Sequence, residues 1–74
     1  MRVDADPAAQ REIGARFRTA RQSRSLTQQR VADAVGVTRV TITNFEAGRH
    51  DVRFGLVIKM CRVVRIKVDE LVPR

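Results

Sequence analysis

The segment Gln28–Phe45, QQRVADAVGVTRVTITNF, decides how the chain is read. Its apolar residues Val31, Ala32, Val35, Val37, Ile42 and Phe45 fall at steps of three and four on either side of Gly36, the spacing of two short helices that each bury one stripe. Gly36 supplies the left-handed backbone that ends a helix at little cost, and Thr38 is placed to cap the next one. At about 100° per residue, turning Ile42 and Phe45 inward directs Val40, Thr43, Asn44 and Ala47 away from the core. Arg39, in the first turn, is long enough to reach the same side. Nothing in the chain is placed to cover that polar face.

Length and charge bound what such a helix pair can serve. With 74 residues there is room for one domain, and a chain this short buries only about 60% of the surface exposed when unfolded, so its stability is marginal. A partner subunit would help. The net charge of +7, fifteen Lys and Arg against eight Asp and Glu, suits a polyanion, although solubility alone can also call for it. All the basic residues except Lys59 and Lys67 are arginines, which favours bidentate contacts to phosphate and guanine. A helix pair packed inside and polar outside, in so basic a chain, is how a reader of the DNA major groove is built.

Other chemistries find little support. One His, one Cys, no metal-spaced ligand cluster, no glycine-rich phosphate loop and no carboxylate pair on a shared apolar face argue against an enzyme, a metal site or a cofactor. Cys61 is alone, so no internal disulfide forms, and the sequence has no signal peptide or membrane-length apolar run. An intracellular protein without a membrane partner or small-molecule ligand is expected.

In chain order, residues 1–5 read as a loose arm and residues 6–74 as the domain. Asp6 can cap a first helix, with Pro7 at the position that needs no donor. Ile13, Phe17 and Ala20 form its buried stripe, Arg11, Arg16, Arg18 and Arg21 stay at the surface, and it ends near Gln22. Ser23-Arg24-Ser25 is a turn, Leu26 a core plug, and Thr27 the cap of helix 2, with Arg30 where a capping box would carry Glu or Gln. Helix 3 runs from about Arg39 to Ala47, and Gly48 stops it.

Helix 4 buries Phe54, Val57, Ile58, Cys61 and Val64, and Gly55 weakens its first turn by about 1 kcal/mol relative to Ala. It carries a second apolar stripe, Leu56, Met60 and Val63, which something must cover. Val68, Leu71 and Val72 can fold back on it as a short fifth helix while a second protomer covers the rest, giving a homodimer through helices 4 and 5 with Leu56, Met60, Val63, Val68, Leu71 and Val72 at its interface. The segment Val64–Asp69, VRIKVD, also alternates like a strand, so a strand-swapped dimer is the alternative.

The outward face of helix 3 has the chemistry of base edges: Arg pairs with guanine O6 and N7, Asn with adenine N6 and N7, and Val touches a thymine methyl. The free amides at the start of helix 2 suit a phosphate beside Thr27 and Gln28. Thr41, Arg49 and Arg53 are further phosphate candidates, and His50, in the same loop, reads as solvated.

From Leu26 onward the sequence resembles the Cro and phage-repressor-like helix-turn-helix domains, also called the xenobiotic-response-element class. The resemblance covers roughly Ile13 to Val72. It rests on Leu26-Thr27-Gln28, Val31-Ala32, Val35-Gly36-Val37, Thr38-Arg39, Thr41-Ile42, Phe45-Glu46, Ala47-Gly48-Arg49 and Asp69-Glu70-Leu71. It implies an all-α, compact five-helix lambda-repressor-like domain with helix 3 in the major groove and two protomers on a palindrome. Arg39, Val40 and Asn44 match its base-reading positions, with Thr43 beside them, and it too uses the phosphate site at the start of helix 2. Arg21 and Glu46 match a salt bridge linking helices 1 and 3, with Arg21 also near phosphate; an exposed pair would contribute no more than about 1 kcal/mol. The chain departs from the class at Val52, Arg53 and Arg65, where a proline, a helix cap and a helix-ending glycine often stand. The resemblance implies a sequence-specific double-stranded DNA-binding regulator, a repressor, in the cytoplasm of a bacterium or phage. The alternative is an antitoxin that binds a partner protein and represses its own promoter.

Overall fold

The Gln28–Phe45 segment forms the two helices its periodicity predicts, and the remaining elements pack around them. The computed structural model describes residues 7–49 and 52–73. The expected arm over residues 1–5, the Asp6 cap and His50 lie outside the described residues. Among the described residues the elements are α1 (Pro7–Ser23), α2 (Gln28–Val35), α3 (Arg39–Glu46), α4 (Phe54–Val64) and a 3-10 turn (Val68–Leu71). All are helical, within 28 × 21 × 19 Å.

Local chemistry accounts for the boundaries. The Thr27 hydroxyl accepts from the Arg30 N–H at 3.0 Å and caps α2, and Thr38 does the same for Thr41 at 3.4 Å to start α3. Gly36 ends α2 at φ +79°, the left-handed region that glycine enters without a Cβ penalty. Arg65 ends α4 in the same region, at φ +60°, where the class often has glycine. Arg24 supports this departure, since its guanidinium donates to the carbonyls of Val64 at 2.9 Å and Arg65 at 3.1 Å. It thus satisfies groups that the end of α4 leaves free.

Phe17, Val31, Ala32, Ile42, Val57, Met60, Cys61 and Val64 form the centre of the core, with Val52, Phe45 and Ile13 slightly less buried around it. Phe17 and Phe45 meet edge to face, with ring centroids 5.5 Å apart, a favoured aromatic geometry. Phe54 and Ile58, expected inside, are half-buried. Burial pushes the Cys61 thiol up to about 11, with the Glu70 carboxylate adding to the effect. The thiol stays protonated at neutral pH and serves as packing.

Four expectations are corrected. The fold has four α-helices rather than five, because the last element is a single 3-10 turn of four residues. Val72 follows it in extended backbone, as the residue before Pro73 tends to be. The alternating Val64–Asp69 stretch is not a strand: Val64 closes α4 and Val68 begins the turn. Met60 and Leu71, assigned to a dimer surface, are 0% and 2% exposed within the single chain. The turn folds Leu71 into the core, and Arg16 ties it to α1 by donating to the Glu70 carbonyl at 3.3 Å and the Val72 carbonyl at 3.5 Å.

The fourth correction concerns Arg21 and Glu46, which are 7% and 8% exposed rather than a surface pair. Arg21 Nε donates to Glu46 Oε2 at 2.6 Å and its terminal nitrogen to Oε1 at 3.0 Å. Its other terminal nitrogen donates to the Leu26 carbonyl at 2.7 Å. The helices can approach this closely because Gly14 faces the end of α3. A Cβ at Gly14 would lie 2.3 Å from the Phe45 carbonyl oxygen and 2.6 Å from that of Glu46.

Two outcomes follow for thermal unfolding. Glu46→Ala leaves a buried guanidinium unpaired, at a cost of about 3–5 kcal/mol, a large part of the roughly 4–11 kcal/mol expected for a domain this size. Its Tm should fall by more than about 10 °C; a fall under about 3 °C would mean that the pair behaves as an exposed one. Gly14→Ala should cost about 1–3 kcal/mol, since backbone must move. Gly55→Ala enters open space and should gain up to about 1 kcal/mol. Equal melting of the two alanine variants would contradict the close approach of α1 and α3.

Candidate nucleic-acid interface

α3 lies with Ile42, Phe45 and Glu46 inward. This orientation follows from its sequence, since those residues are its apolar stripe and the one carboxylate with a cation waiting inside. The opposite side presents Arg39, Val40 and Thr43 to solvent, with Asn44 half-buried at the edge. Val40 is 61% exposed. Apolar surface so open, on a helix that needs its apolar residues inside, is free for an external methyl or ring. Among the described residues, no side-chain hydrogen bond occupies Arg39 or Asn44.

The start of α2 opens on a groove of about 660 Å³ beside this face. Its wall includes Arg18, Ser25, Thr27, Gln28, Gln29 and Arg39, and no carboxylate lines it. Thr27 satisfies the Arg30 amide, and the amides of Gln28 and Gln29 have no intrahelical partner. The Thr27 hydroxyl keeps its own hydrogen to donate. Positive helix-end dipole, free amides and flanking guanidinium groups make a setting for an anion. A second groove, of about 500 Å³, runs between α1 and the C-terminal turn. Glu12 and Glu70 line it along with Arg16 and Arg24, so its charge is mixed.

The remaining candidates divide. Arg49 and Arg53 are exposed after α3, with no side-chain partner among the described residues. Thr41 is half-buried, its hydroxyl 3.3 Å from that of Thr38. Arg21 borders the α2 groove, and three of its five N–H groups are spent on Glu46 and Leu26. Gln28 is likewise occupied through its side chain: Nε2 donates to Glu46 Oε1 at 2.9 Å, and Oε1 accepts from the Thr43 hydroxyl at 2.9 Å. Only its backbone amide and one side-chain hydrogen remain for an anion. Leu56, Val63 and Val68 are half-buried and Val72 is 50% exposed, so with Met60 and Leu71 inside, the apolar surface left for a partner is smaller than the sequence suggests.

Arg18 was missed by the sequence reading, which left it as plain surface. The signal was its spacing: three residues before Arg21, it shares a face of α1, and that face borders the start of α2. Among the described residues there is no group of three His, Cys, Asp or Glu side chains able to hold a metal. No helix among them is long and apolar enough to cross a membrane.

Comparisons with known proteins agree with this geometry. The arrangement is similar to the restriction-modification controller protein C.AhdI from Aeromonas hydrophila, with a TM-score of 0.82 and 26% identity over 86% of this chain and 97% of that one. It is similar to the clp gene regulator ClgR from C. glutamicum, at 0.83 and 24% identity over 90% of this chain and 86% of that one. It is also similar to the DNA-binding domain of BldD, at 0.81 and 20% identity over 93% of this chain and 100% of that domain. No curated protein matches the sequence. The family profile described as a helix-turn-helix domain matches residues 12–73, which spans α2, Gly36 and α3 together with most of the supporting helices. The chain belongs to the helix-turn-helix domain family, in its Cro-like class.

Proposed function

We propose that this protein is a sequence-specific double-stranded DNA-binding transcriptional regulator that reads the major groove with α3. The observation that carries the proposal is the outward face of α3, where Arg39, Val40 and Thr43 are exposed, with Asn44 half-buried at the edge, beside a carboxylate-free groove at the start of α2. An α-helix fits the major groove, and these side chains offer a donor fork, an apolar methyl pair and an amide to base edges. Thr27, the Gln28 amide, Arg18, Arg49 and Arg53 would hold the flanking phosphates, and Thr41 lies to the side of the reading face. The likeness to C.AhdI, whose name describes a controller protein, supports a regulatory role.

In this reading the protein acts as a homodimer on a palindromic operator and represses by occupying it. Leu56, Val63, Val68 and Val72 are the apolar residues left near the surface of α4 and the tail, and they would meet across a two-fold axis. The two copies of α3 would then lie about 34 Å apart, one turn of duplex.

Selection of bound sequences from a random duplex pool tests the proposal: it should enrich two inverted half-sites about one turn apart, and enrichment of no sequence at moderate salt would reject it. Asn44→Ala should relax one base position by about 1–3 kcal/mol. Arg18→Ala and Arg49→Ala should weaken binding to all duplexes alike and lower the slope of log affinity against log salt by about 1 each. If Asn44→Ala instead weakened every sequence equally, α3 would be touching backbone rather than bases. Light scattering at tens of micromolar should give a dimeric mass, and a monomeric mass would reject the two-fold arrangement.

A further inference from the structure

The buried ion pair reaches the outer face of α3 through two side chains, Gln28 and Thr43, that lie outside the core. Glu46 Oε1 receives Gln28 Nε2 at 2.9 Å, and Gln28 Oε1 receives the Thr43 hydroxyl at 2.9 Å. The direction of each bond is fixed by chemistry. A carboxylate paired with a guanidinium offers only lone pairs, so Gln28 must turn its NH2 group inward to Glu46. Its carbonyl oxygen then points to Thr43. An amide oxygen also offers only lone pairs, so the Thr43 hydroxyl must spend its single hydrogen on Gln28. Reversing the amide would set its oxygen against the Glu46 carboxylate, so it is the carboxylate that fixes the amide and, through it, the direction of the Thr43 hydroxyl.

We infer that Thr43 is a specificity-determining residue whose hydroxyl is locked as an acceptor by the Arg21–Glu46–Gln28 chain, so that it selects a base with an exocyclic amine, adenine or cytosine, on the strand it faces. A free threonine hydroxyl rotates to suit either kind of partner and discriminates weakly. This one cannot turn its hydrogen outward without breaking the bond to Gln28. Adenine N6 and cytosine N4 donate into the major groove, whereas guanine N7 and O6 and thymine O4 accept. Two acceptors facing each other repel, so guanine and thymine are disfavoured at that position. The inference rests on the proposed reading of DNA by α3 and adds to it a rule for one base.

The test measures affinity for the selected duplex with each of the four bases placed in turn at every position, for the wild-type chain and three variants. Wild type should show one position where adenine or cytosine is preferred over guanine and thymine by roughly three- to tenfold. Thr43→Val keeps the shape, removes the hydroxyl, and should abolish that preference while leaving other positions unchanged. Thr43→Ser keeps the hydroxyl and should retain it. Gln28→Leu releases the hydroxyl hydrogen and should flatten the same position with Thr43 still present. If Gln28→Leu lowers the melting temperature too far for binding to be measured, the valine and serine variants decide alone. The inference is overturned if Thr43→Val changes no single position, if the position it controls prefers guanine or thymine, or if a folded Gln28→Leu variant keeps the preference. Base preference elsewhere with none lost in Thr43→Val sinks this inference and leaves the DNA reading intact. No base preference anywhere in wild type sinks both.

Discussion

The ion pair between Arg21 and Glu46 is the constraint on which α3 depends. α3 has eight residues, too few to hold a helix alone in water, and its orientation comes from what its inner side meets. Ile42 and Phe45 supply non-directional burial. Glu46 supplies direction, through a two-point bond to Arg21, which in turn holds the Leu26 carbonyl just before α2. Exchanging a buried pair for well-packed apolar groups is often neutral or better for stability. Its value here is selective, because any packing that parts the two leaves a charge buried without a partner. No buried side-chain polar atom among the described residues lacks a hydrogen bond, so this arrangement meets that demand.

The arginines divide into two groups that composition alone does not separate. Arg16, Arg21 and Arg24 act within the fold: one ties the C-terminal turn to α1, one anchors α3, and one satisfies the carbonyls at the end of α4. Arg11, Arg18, Arg30, Arg39, Arg49, Arg53, Arg62 and Arg65 are exposed and carry no side-chain bond to another described residue. The net charge therefore overstates how many cations are free to meet an anion. The free ones that border α2 and α3 are what the proposed function uses.

The helix-turn-helix was legible because its signals are local: a capping threonine at Thr27 and another at Thr38, a glycine between them, and a stripe at steps of three and four. What was not legible depended on distance and depth. Nothing in the sequence tells whether Arg21 and Glu46 meet in water or inside, and their burial changes the expected cost of losing either. The two stripes of α4 could not be ranked by spacing; the fold ranks them by turning Met60 inward and leaving Leu56 and Val63 at the margin. Gly14 attracted no notice because a glycine inside a helix reads as a weakness, and its role exists only where α3 crosses α1. The bond from Thr43 to Gln28 spans fifteen residues and joins two helices whose crossing angle no local pattern specifies.

The most direct measurement is an NMR titration of the isotope-labelled protein with a selected duplex at moderate ionic strength, following backbone amides and arginine side chains. The account predicts that the largest shifts fall on Arg39, Val40, Thr43 and Asn44 and on the amides of Gln28 and Gln29, while the groove between α1 and the C-terminal turn stays unchanged. Shifts concentrated in that groove instead, with α3 silent, would contradict it.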